Sequence, residues 1–283
     1  MSSERGKQLV SDLGITKLPT LIVSGEVKKP SIENIWGAWE EKEGNFVFKD
    51  VLPPYTNPES EVVGLVSLVN IVDSSCSKCA DLSQVTTFLK ESGVVFSDEK
   101  SLEYTTTEAQ GLIDKFGIEK IPAVVLSDSI LEYPSVKEVW DQVGATEKEG
   151  YFALHTQFPP YRDVKSNEVK GLVKVNYLSD SSCQTCYDVN VNREILLGFG
   201  LALEEENDLD ISTTIGSGLV EKYNITKVPI ILLSPEAAEY SDLTLVWSSV
   251  GDIDADGWYI MRNPELMGNH KDLTTGQEVS VEG

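Results

Sequence analysis

Apolar positions along the chain follow two alternating patterns. Nearly continuous apolar runs at 64–72 and 171–178 predict strands that are buried on both faces of a sheet. Leu82 and Val85 begin a stripe with three- to four-residue spacing, which predicts a helix that ends at Gly93. The alternation continues with predicted helices over 107–116 and 215–223, and with predicted strands over 123–126, 230–233 and 151–155.

Another helical stripe occurs three times and contains tryptophan each time. The three stripes consist of Ile32, Ile35, Trp36 and Trp39, of Val136, Val139, Trp140 and Val143, and of Leu243, Val246, Trp247 and Val250. This spacing places the apolar side chains on one face of a helix, so we expect the tryptophans to lie in the core.

Two segments of the sequence recur at a fixed distance of 107 residues. Ser-Ser-Cys-Ser-Lys-Cys at 74–79 returns as Ser-Ser-Cys-Gln-Thr-Cys at 181–186, and the segment that ends at Pro122 returns with its end at Pro229. An earlier copy ends at Pro19 and has no Cys-x-x-Cys before it. We therefore predict an α/β protein of two complete repeats and one N-terminal half, each a mixed sheet flanked by helices. The predicted limits of the three parts are 1–58, 59–165 and 166–283.

The composition is that of a globular protein with a strongly acidic balance. Asp and Glu number 46 against 23 Lys and Arg, which gives a net charge of −23 over 283 residues. Such a charge repels phosphate groups, so nucleic acids and anionic membrane surfaces are not expected as partners. The longest apolar stretch, 62–72, is much shorter than the roughly 20 residues that a membrane-spanning helix needs. No membrane span is therefore predicted in this chain.

The N-terminal copy is incomplete, and this affects where the protein is expected to act. It lacks the central strand of its own sheet, which would leave unpaired backbone groups at an open edge. Another chain supplies that strand, or residues 21–23 pack against the neighbouring repeat, or the chain is excised from a longer protein with further repeats. We favour excision. The N-terminus has no secretory signal, so the localisation is left open, but paired cysteines favour an extracytoplasmic setting for such a soluble part of a longer chain.

All four cysteines belong to the two Cys-x-x-Cys pairs, each at the predicted start of a helix. The N–H groups and the dipole at a helix N-terminus stabilise an anion, so the first cysteine of each pair should ionise below the ordinary thiol pKa of about 8.5. Cys76 and Cys183 are the candidate nucleophiles, and Cys79 and Cys186 are the candidate resolving thiols. Because Lys78 adds a cation to the first pair, we expect the lower thiol pKa at Cys76.

This arrangement resembles the thioredoxin superfamily. In each complete repeat, Ile-Pro or Val-Pro follows 43 residues after the second cysteine and precedes another strand. The resemblance implies a thioredoxin-like fold in which this proline is cis and lies beside the active-site sulfurs, where it helps to bind the substrate backbone. It implies that role for Pro122 and Pro229, with Ile121 and Val228 before them. The chain is also similar to tandem thioredoxin-like repeat proteins of uncharacterised type, which share its Pro-Pro-Tyr strand and Ser-Cys-x-x-Cys motif.

The chain departs from the thioredoxin pattern next to the cysteines. A serine precedes the first cysteine of each pair, where the family has an aromatic residue, and no acid stands at the position of thioredoxin's buried carboxyl group. Asp73 and Asp180, three residues before the first cysteines, are the alternative proton acceptors. The predicted helix around Trp140 interrupts a hairpin that is tight in the family.

These observations predict thiol–disulfide exchange with protein thiols and disulfides as partners and with no bound cofactor. Two alternatives stay open. In the first, the protein is a non-catalytic interaction or surface repeat protein, and its Cys-x-x-Cys pairs form structural disulfides. In the second, the thiolates bind a metal ion. A zinc site needs four converging ligands, and the two pairs are expected to lie in different domains, so no metal ligands are predicted.

Overall fold

The computed structural model describes residues 3–29, 35–79, 82–140 and 144–281, with the backbone alone for 139 and 140. The chain divides into two compact units. Unit 1 consists of residues 1–72, 81–118 and 123–155, and unit 2 of residues 73–80, 119–122 and 156–283. In the described part of the chain, no helix combines the length and apolar character that crossing a lipid bilayer requires.

The described residues form helices and short strands in alternation. The helices are α1 (Glu4–Asp12), α2 (Ser83–Glu91), α3 (Thr107–Phe116), α4 (Pro134–Trp140), α5 (Val191–Gly198), α6 (Thr214–Lys222) and α7 (Ser241–Val250). The strands are β1 (Ile22–Val23), β2 (Trp39–Lys42), β3 (Asn45–Phe48), β4 (Tyr55–Thr56), β5 (Val62–Val63), β6 (Leu65–Val72), β7 (Val95–Glu103), β8 (Lys120–Ile121), β9 (Ala123–Ser127), β10 (Thr146–Lys148), β11 (Tyr151–His155), β12 (Tyr161–Asp163), β13 (Glu168–Lys170), β14 (Leu172–Ser179), β15 (Ala202–Asp210), β16 (Lys227–Val228), β17 (Ile230–Leu233), β18 (Gly251–Ile253), β19 (Tyr259–Met261), β20 (His270–Asp272) and β21 (Gln277–Val279).

A mixed five-stranded sheet lies at the centre of each unit. In unit 1 the strand order is β10-β11-β9-β6-β7, where β6 is parallel to β7 and antiparallel to β9. In unit 2 the order is β18-β19-β17-β14-β15, where β14 is parallel to β15 and antiparallel to β17. The two predicted strands are confirmed as β6 and β14, and each has a neighbour on both sides. The predicted burial on both faces is wrong for β14, because Val173 and Val175 are buried whereas Lys174 between them is exposed.

Local sequence signals account for helices α3 and α6, which precede the Ile121–Pro122 and Val228–Pro229 segments. Helix α3 begins after Thr106, whose Oγ1 accepts a hydrogen bond from the Ala109 N–H, and it ends at Gly117 with φ of +63°. Helix α6 begins after Thr213 in the same way. The sequence predicted both helices at or within one residue of these limits.

The N-terminal part of unit 1 differs from its prediction. Its sheet has the order β1-β3-β2, and Trp39 lies in β2 rather than in a helix. Trp39 stands opposite Phe48 on β3, with ring centroids 5.3 Å apart, and Trp36 packs on Phe46 at 4.5 Å. Cross-strand aromatic pairs stabilise the hairpin and outweigh the helical spacing. Ile35 of that stripe is exposed, and Ile32 lies outside the described residues.

The predicted tryptophan core holds for Trp247, which is buried on α7, whereas Trp36 is half-buried. Helix α4 begins at Pro134 and includes Trp140, whose side chain is outside the described part, as are residues 141–143. Each of these helices is followed by a hairpin, β10–β11 in unit 1 and β18–β19 in unit 2, so the helix does separate strands that are adjacent in the sheet.

Residues 55–63 and 161–170 form two short hairpins, β4–β5 and β12–β13. Hairpin β4–β5 forms an isolated bridge from Thr56 to Leu18, and hairpin β12–β13 pairs with β8. Hairpin β20–β21 at the C-terminal end pairs with β16 in the same manner. Because β8 pairs with β12, residues 119–122 belong to unit 2. The sequence-based limits 1–58, 59–165 and 166–283 stay a prediction.

A glycine, a proline pair and a tyrosine support each hairpin. Gly171 has φ of +82°, and a Cβ atom there would come within 2.4 Å of the Pro159 Cβ. The buried Tyr240 hydroxyl donates to the Gly171 carbonyl at 2.6 Å and accepts from the Ala202 N–H at 2.9 Å. Unit 1 contains the same arrangement around Gly64. A larger residue than glycine therefore cannot fit at either position without displacing the proline.

Candidate functional site

The four cysteines form two disulfide bonds, Cys76–Cys79 and Cys183–Cys186. We call residues 73–79 the first cysteine turn and residues 180–186 the second cysteine turn. In each turn, two half-buried cysteines flank two exposed residues. The Cys183 N–H donates to the Asp180 carbonyl at 3.0 Å, and the first turn has the same hydrogen bond at its own first cysteine.

The cysteines do not lie at helix N-termini, so the prediction that each Cys-x-x-Cys pair begins a helix is wrong. Helix α5 begins at Val191, eight residues after Cys183, and α2 begins at Ser83, seven residues after Cys76. In the second turn, the chain between the cysteines and α5 is held elsewhere, because the Tyr187 N–H donates to the Asn269 carbonyl at 2.9 Å. The helix dipole acts only over the first turn of a helix, so it does not stabilise a thiolate here.

The prolines that the resemblance singled out have cis peptide bonds. These bonds are Ile121–Pro122 and Val228–Pro229. Ile121 and Val228 are fully buried. In the second turn, the Cys186 Sγ lies 3.9 Å from the Val228 carbonyl oxygen. The structure thus brings the second cysteine pair next to the segment that precedes Pro229.

A cation from the following hairpin binds the first cysteine turn. Arg162 on β12 stands opposite Ile121 in the sheet. Its Nη2 lies 2.7 Å from Asp73 Oδ2 and donates to the Ser75 Oγ at 3.0 Å, and its Nη1 donates to the Asn167 carbonyl at 2.8 Å. The Asp73 side chain is only 2% exposed and also accepts from the Ser75 N–H and hydroxyl. The ion pair therefore fixes the residue directly before Cys76.

The second cysteine turn has the corresponding cation. Lys271 on β20 stands opposite Val228, and its Nζ lies 2.6 Å from Asp180 Oδ2 and 2.9 Å from the Ser182 Oγ. In the N-terminal half, which has no cysteines, Thr56 occupies this register position opposite Leu18. A cation is thus present at this position in the two hairpins that follow a cysteine pair. Sequence analysis missed both cations, although it could have noted that a basic residue follows Tyr161 and His270 in two otherwise similar segments.

The electrostatics of these aspartates argue against a role as proton acceptors. Burial alone raises the pKa of Asp73, but hydrogen bonds from Ser75 and Arg162 and the guanidinium charge more than compensate, so the pKa lies below its ordinary value. Burial and the contacts with Lys271 and Ser182 have the same net effect on the pKa of Asp180. A carboxylate that is held by a fixed cation is a weak base, so both aspartates remain ionised near neutral pH.

The two cysteine turns differ between their cysteines. In the first turn, the Lys78 Nζ donates to the Leu203 carbonyl on β15. In the second turn, Glu278 on β21 accepts from the Thr185 hydroxyl at 2.5 Å and from the Gln184 N–H at 3.2 Å. Hydrogen bonds from Thr185 and then from Gln184 lower the pKa of Glu278, which keeps it negatively charged. The first turn therefore carries a cation where the second turn binds an anion.

Neither the described histidines nor the carboxylates extend these turns into a metal site. Among the residues that the structure describes, no three His, Cys, Asp or Glu side chains are arranged to hold a metal ion. The four cysteine sulfurs are bonded to one another in pairs, and a disulfide sulfur is not the thiolate that binds zinc. The chemistry that this arrangement supports directly is that of a disulfide near the protein surface.

No protein-family model and no curated protein matches this chain. Among solved structures, it is similar to the alkylhydroperoxide reductase AhpF of Enterococcus faecalis, with 22% identity over 60% of this chain and 81% of that chain and a TM-score of 0.19. The NTD_N/C domain of the same reductase gives 20% identity and a TM-score of 0.18. Full-length ERdj5 gives 9% identity over 60% of this chain and 25% of that chain, with a TM-score of 0.19.

TM-scores this far below 0.5 describe superpositions that do not extend over the chain, so these similarities carry no argument about its fold or its reaction. What the structure itself contains is a mixed α/β fold with two disulfide-bonded Cys-x-x-Cys pairs.

Proposed function

We propose that the protein carries out thiol–disulfide exchange on protein substrates through Cys76–Cys79 and Cys183–Cys186. The observation that carries the proposal is the second site, where the Cys186 sulfur lies 3.9 Å from the carbonyl that precedes cis Pro229. The segments before Pro122 and Pro229 each already pair with a hairpin of this chain, β8 with β12 and β16 with β20, so a substrate strand takes the place of that hairpin only when the hairpin moves away. Ile121 with Pro122, and Val228 with Pro229, are the proposed contacts for the substrate backbone.

The exchange transfers two electrons between one cysteine pair and one substrate pair. In the reducing direction, the Cys183 thiolate attacks a substrate disulfide and releases one substrate thiolate, which takes up a proton. The Cys186 thiolate then attacks Cys183 in the mixed disulfide, releases the second substrate thiol and closes the Cys183–Cys186 bond. In the oxidising direction, a substrate thiolate opens that bond and the same steps run in reverse. Cys76 and Cys79 have the corresponding roles in the first pair.

The proposed architecture is a tandem of two complete thioredoxin-like repeats after an N-terminal half, at 59–165, 166–283 and 1–58. The two five-stranded sheets have the same strand order, and a cis proline occurs in all three parts, at Pro19, Pro122 and Pro229. The half contributes a hairpin and a cis proline without cysteines, so we assign it no redox role.

A second candidate function is a non-catalytic interaction protein with structural disulfides. The observation that favours it is the set of contacts that hold the second turn, where Lys271 binds Asp180 and Glu278 binds Thr185. A turn held at both ends changes shape less readily when the disulfide opens. This alternative predicts a reduction potential below about −300 mV, which resists cellular thiols.

Trapping a mixed disulfide separates the two functions. The full chain with Cys186→Ser or Cys79→Ser is incubated with a disulfide-bonded test protein, and the product is resolved on a non-reducing gel. Thiol–disulfide exchange predicts a covalent complex that dithiothreitol dissolves, because the mixed disulfide can no longer be resolved. Cys183→Ser in the same background is the matched control and should abolish the complex. No complex with either variant, together with potentials below about −300 mV, would favour the structural role.

A further inference from the structure

We propose that Glu278 is a positioning residue that sets the reactivity of the second cysteine pair by keeping reduced Cys183 protonated. Its carboxylate accepts from the Thr185 hydroxyl at 2.5 Å and from the Gln184 N–H at 3.2 Å. These are the two residues between Cys183 and Cys186. This inference deepens the proposed function. Only the effect of Glu278 on the rate of thiol–disulfide exchange rests on that function.

The position of the charge follows from covalent geometry. The Gln184 nitrogen is four bonds, at most about 5 Å, from the Cys183 sulfur, so the carboxylate oxygen that it binds lies no farther than about 8 Å from that sulfur. The carboxylate also occupies the N–H group next to Cys183, which would otherwise be able to donate a hydrogen bond to a thiolate. Both effects oppose the ionised form of the thiol.

The other charged groups on this turn do not cancel the effect. Asp180 is paired with Lys271, which leaves little net charge from that pair. Asp210 accepts from the Ser181 N–H at 2.6 Å and adds a second anion. The charged side chains bound to the second turn therefore comprise three carboxylates and one ammonium group. In the first turn, Asp73 is paired with Arg162, and the turn contains the cation of Lys78 itself.

The first hairpin provides an internal comparison. Lys271 on β20 stands opposite Glu278 on β21, and Arg162 on β12 stands opposite Val169 on β13. The two hairpins thus have the same register, with a cation at one position and either glutamate or valine across from it. The carboxylate is a feature of the second hairpin, so the chain contains a natural version of the site without it.

The test is the pH dependence of alkylation in the full chain. The protein is reduced with dithiothreitol, which gives two electrons to each disulfide and is itself oxidised to a cyclic disulfide, and the reagent is removed. Iodoacetamide then reacts with each thiolate and releases iodide, and peptide mass spectrometry reports the extent at Cys76 and Cys183 separately. Glu278→Gln keeps a hydrogen-bond acceptor while it removes the charge, so a purely structural role predicts no change in the midpoint.

We expect Glu278→Gln to lower the alkylation midpoint of Cys183 by about half a pH unit, equivalent to a roughly threefold faster reaction at a fixed pH below the midpoint. The midpoint of Cys76 should not move. Val169→Glu should raise the midpoint of Cys76, and 1 M salt should reduce the effect of Glu278→Gln because Glu278 is exposed.

An unchanged Cys183 midpoint in Glu278→Gln, or an equal shift at both cysteines, would overturn the inference. Should Val169→Glu not fold, as judged by its circular dichroism spectrum, the result for Glu278→Gln still decides. A failure of the proposed function would be seen in a different experiment. Neither pair would then form a mixed disulfide with a test protein, while the alkylation midpoints would still report the effect of Glu278.

Discussion

Replacing Arg162 by methionine tests whether the buried ion pair holds the first cysteine turn. Arg162 and Asp73 have side chains that are 14% and 2% exposed, and the closest contact is 2.7 Å. Removing one partner of a buried pair costs about 3–5 kcal/mol, because the remaining charge is left without compensation. Two hydrogen bonds from Ser75 to Asp73 persist, so we expect a loss near the lower end, about 3 kcal/mol.

The pH dependence of this loss has a definite sign. The pKa of Asp73 is lower in the folded protein than its ordinary value, so the ion pair stabilises the fold above the unfolded pKa of about 3.9. This stability disappears as the pH falls through the folded pKa, because a protonated Asp73 needs no cation. The difference between the native protein and Arg162→Met should therefore be largest near pH 7 and smaller at pH 3, which lies below the unfolded pKa.

Urea unfolding measures the effect without changing the ionic strength, with tryptophan fluorescence as the readout at pH 7 and pH 3. Asp73→Asn, alone and combined with Arg162→Met, completes a cycle that isolates the ion pair from the bond between Arg162 and Asn167. Lys271→Met is the matched control. Its pair is more exposed, at 20% and 9%, and should cost less. A loss below about 1 kcal/mol at pH 7, or an equal loss at both pH values, would refute the reasoning.

Two further predictions concern unit 2 and use the same unfolding measurement. Tyr240→Phe should cost about 2–4 kcal/mol, because it leaves the Gly171 carbonyl and the first amide of β15 without partners; no measurable loss would contradict this. Gly171→Ala should cost at least about 2 kcal/mol, since it adds a clash with Pro159 to the strain of a positive φ. Gly200→Ala is the control, because it adds the strain of a positive φ but its Cβ would meet no other atom. Equal losses of unfolding free energy in the two variants would show that the clash with Pro159 has no effect.

The elements of this fold were predictable wherever their signals are local. Helix α3 was predicted to the residue, because its capping Thr106 and its terminal Gly117 lie within one turn of its ends. The helix over 32–39 was predicted wrongly at Trp39, because an apolar stripe does not distinguish a helix face from aromatic pairs across a hairpin. Whether Trp39 lies in a helix or in a strand depends on its pairing with β3, which follows Trp39 in the chain.

The candidate site divides in the same way. The sequence identified the cysteine pairs, with Cys183 as a candidate nucleophile, and it identified the Val-Pro segment before Pro229, because spacing and repetition mark them. It missed Lys271 and Glu278, whose contacts with the second turn span about 90 residues of chain. Nothing in the local sequence of β20 or β21 indicates a cysteine turn as their neighbour.

By itself, the sequence determined the two disulfide-capable pairs, the acidic balance and helices α3 and α6, since each depends on residue identity and short-range periodicity. The tertiary structure alone decided that the cysteines lie in turns outside the helices, and that charges from a later hairpin bind them. The physical reason is that strand register determines which distant side chains meet. Register depends on how the whole chain pairs, which no local window of sequence contains.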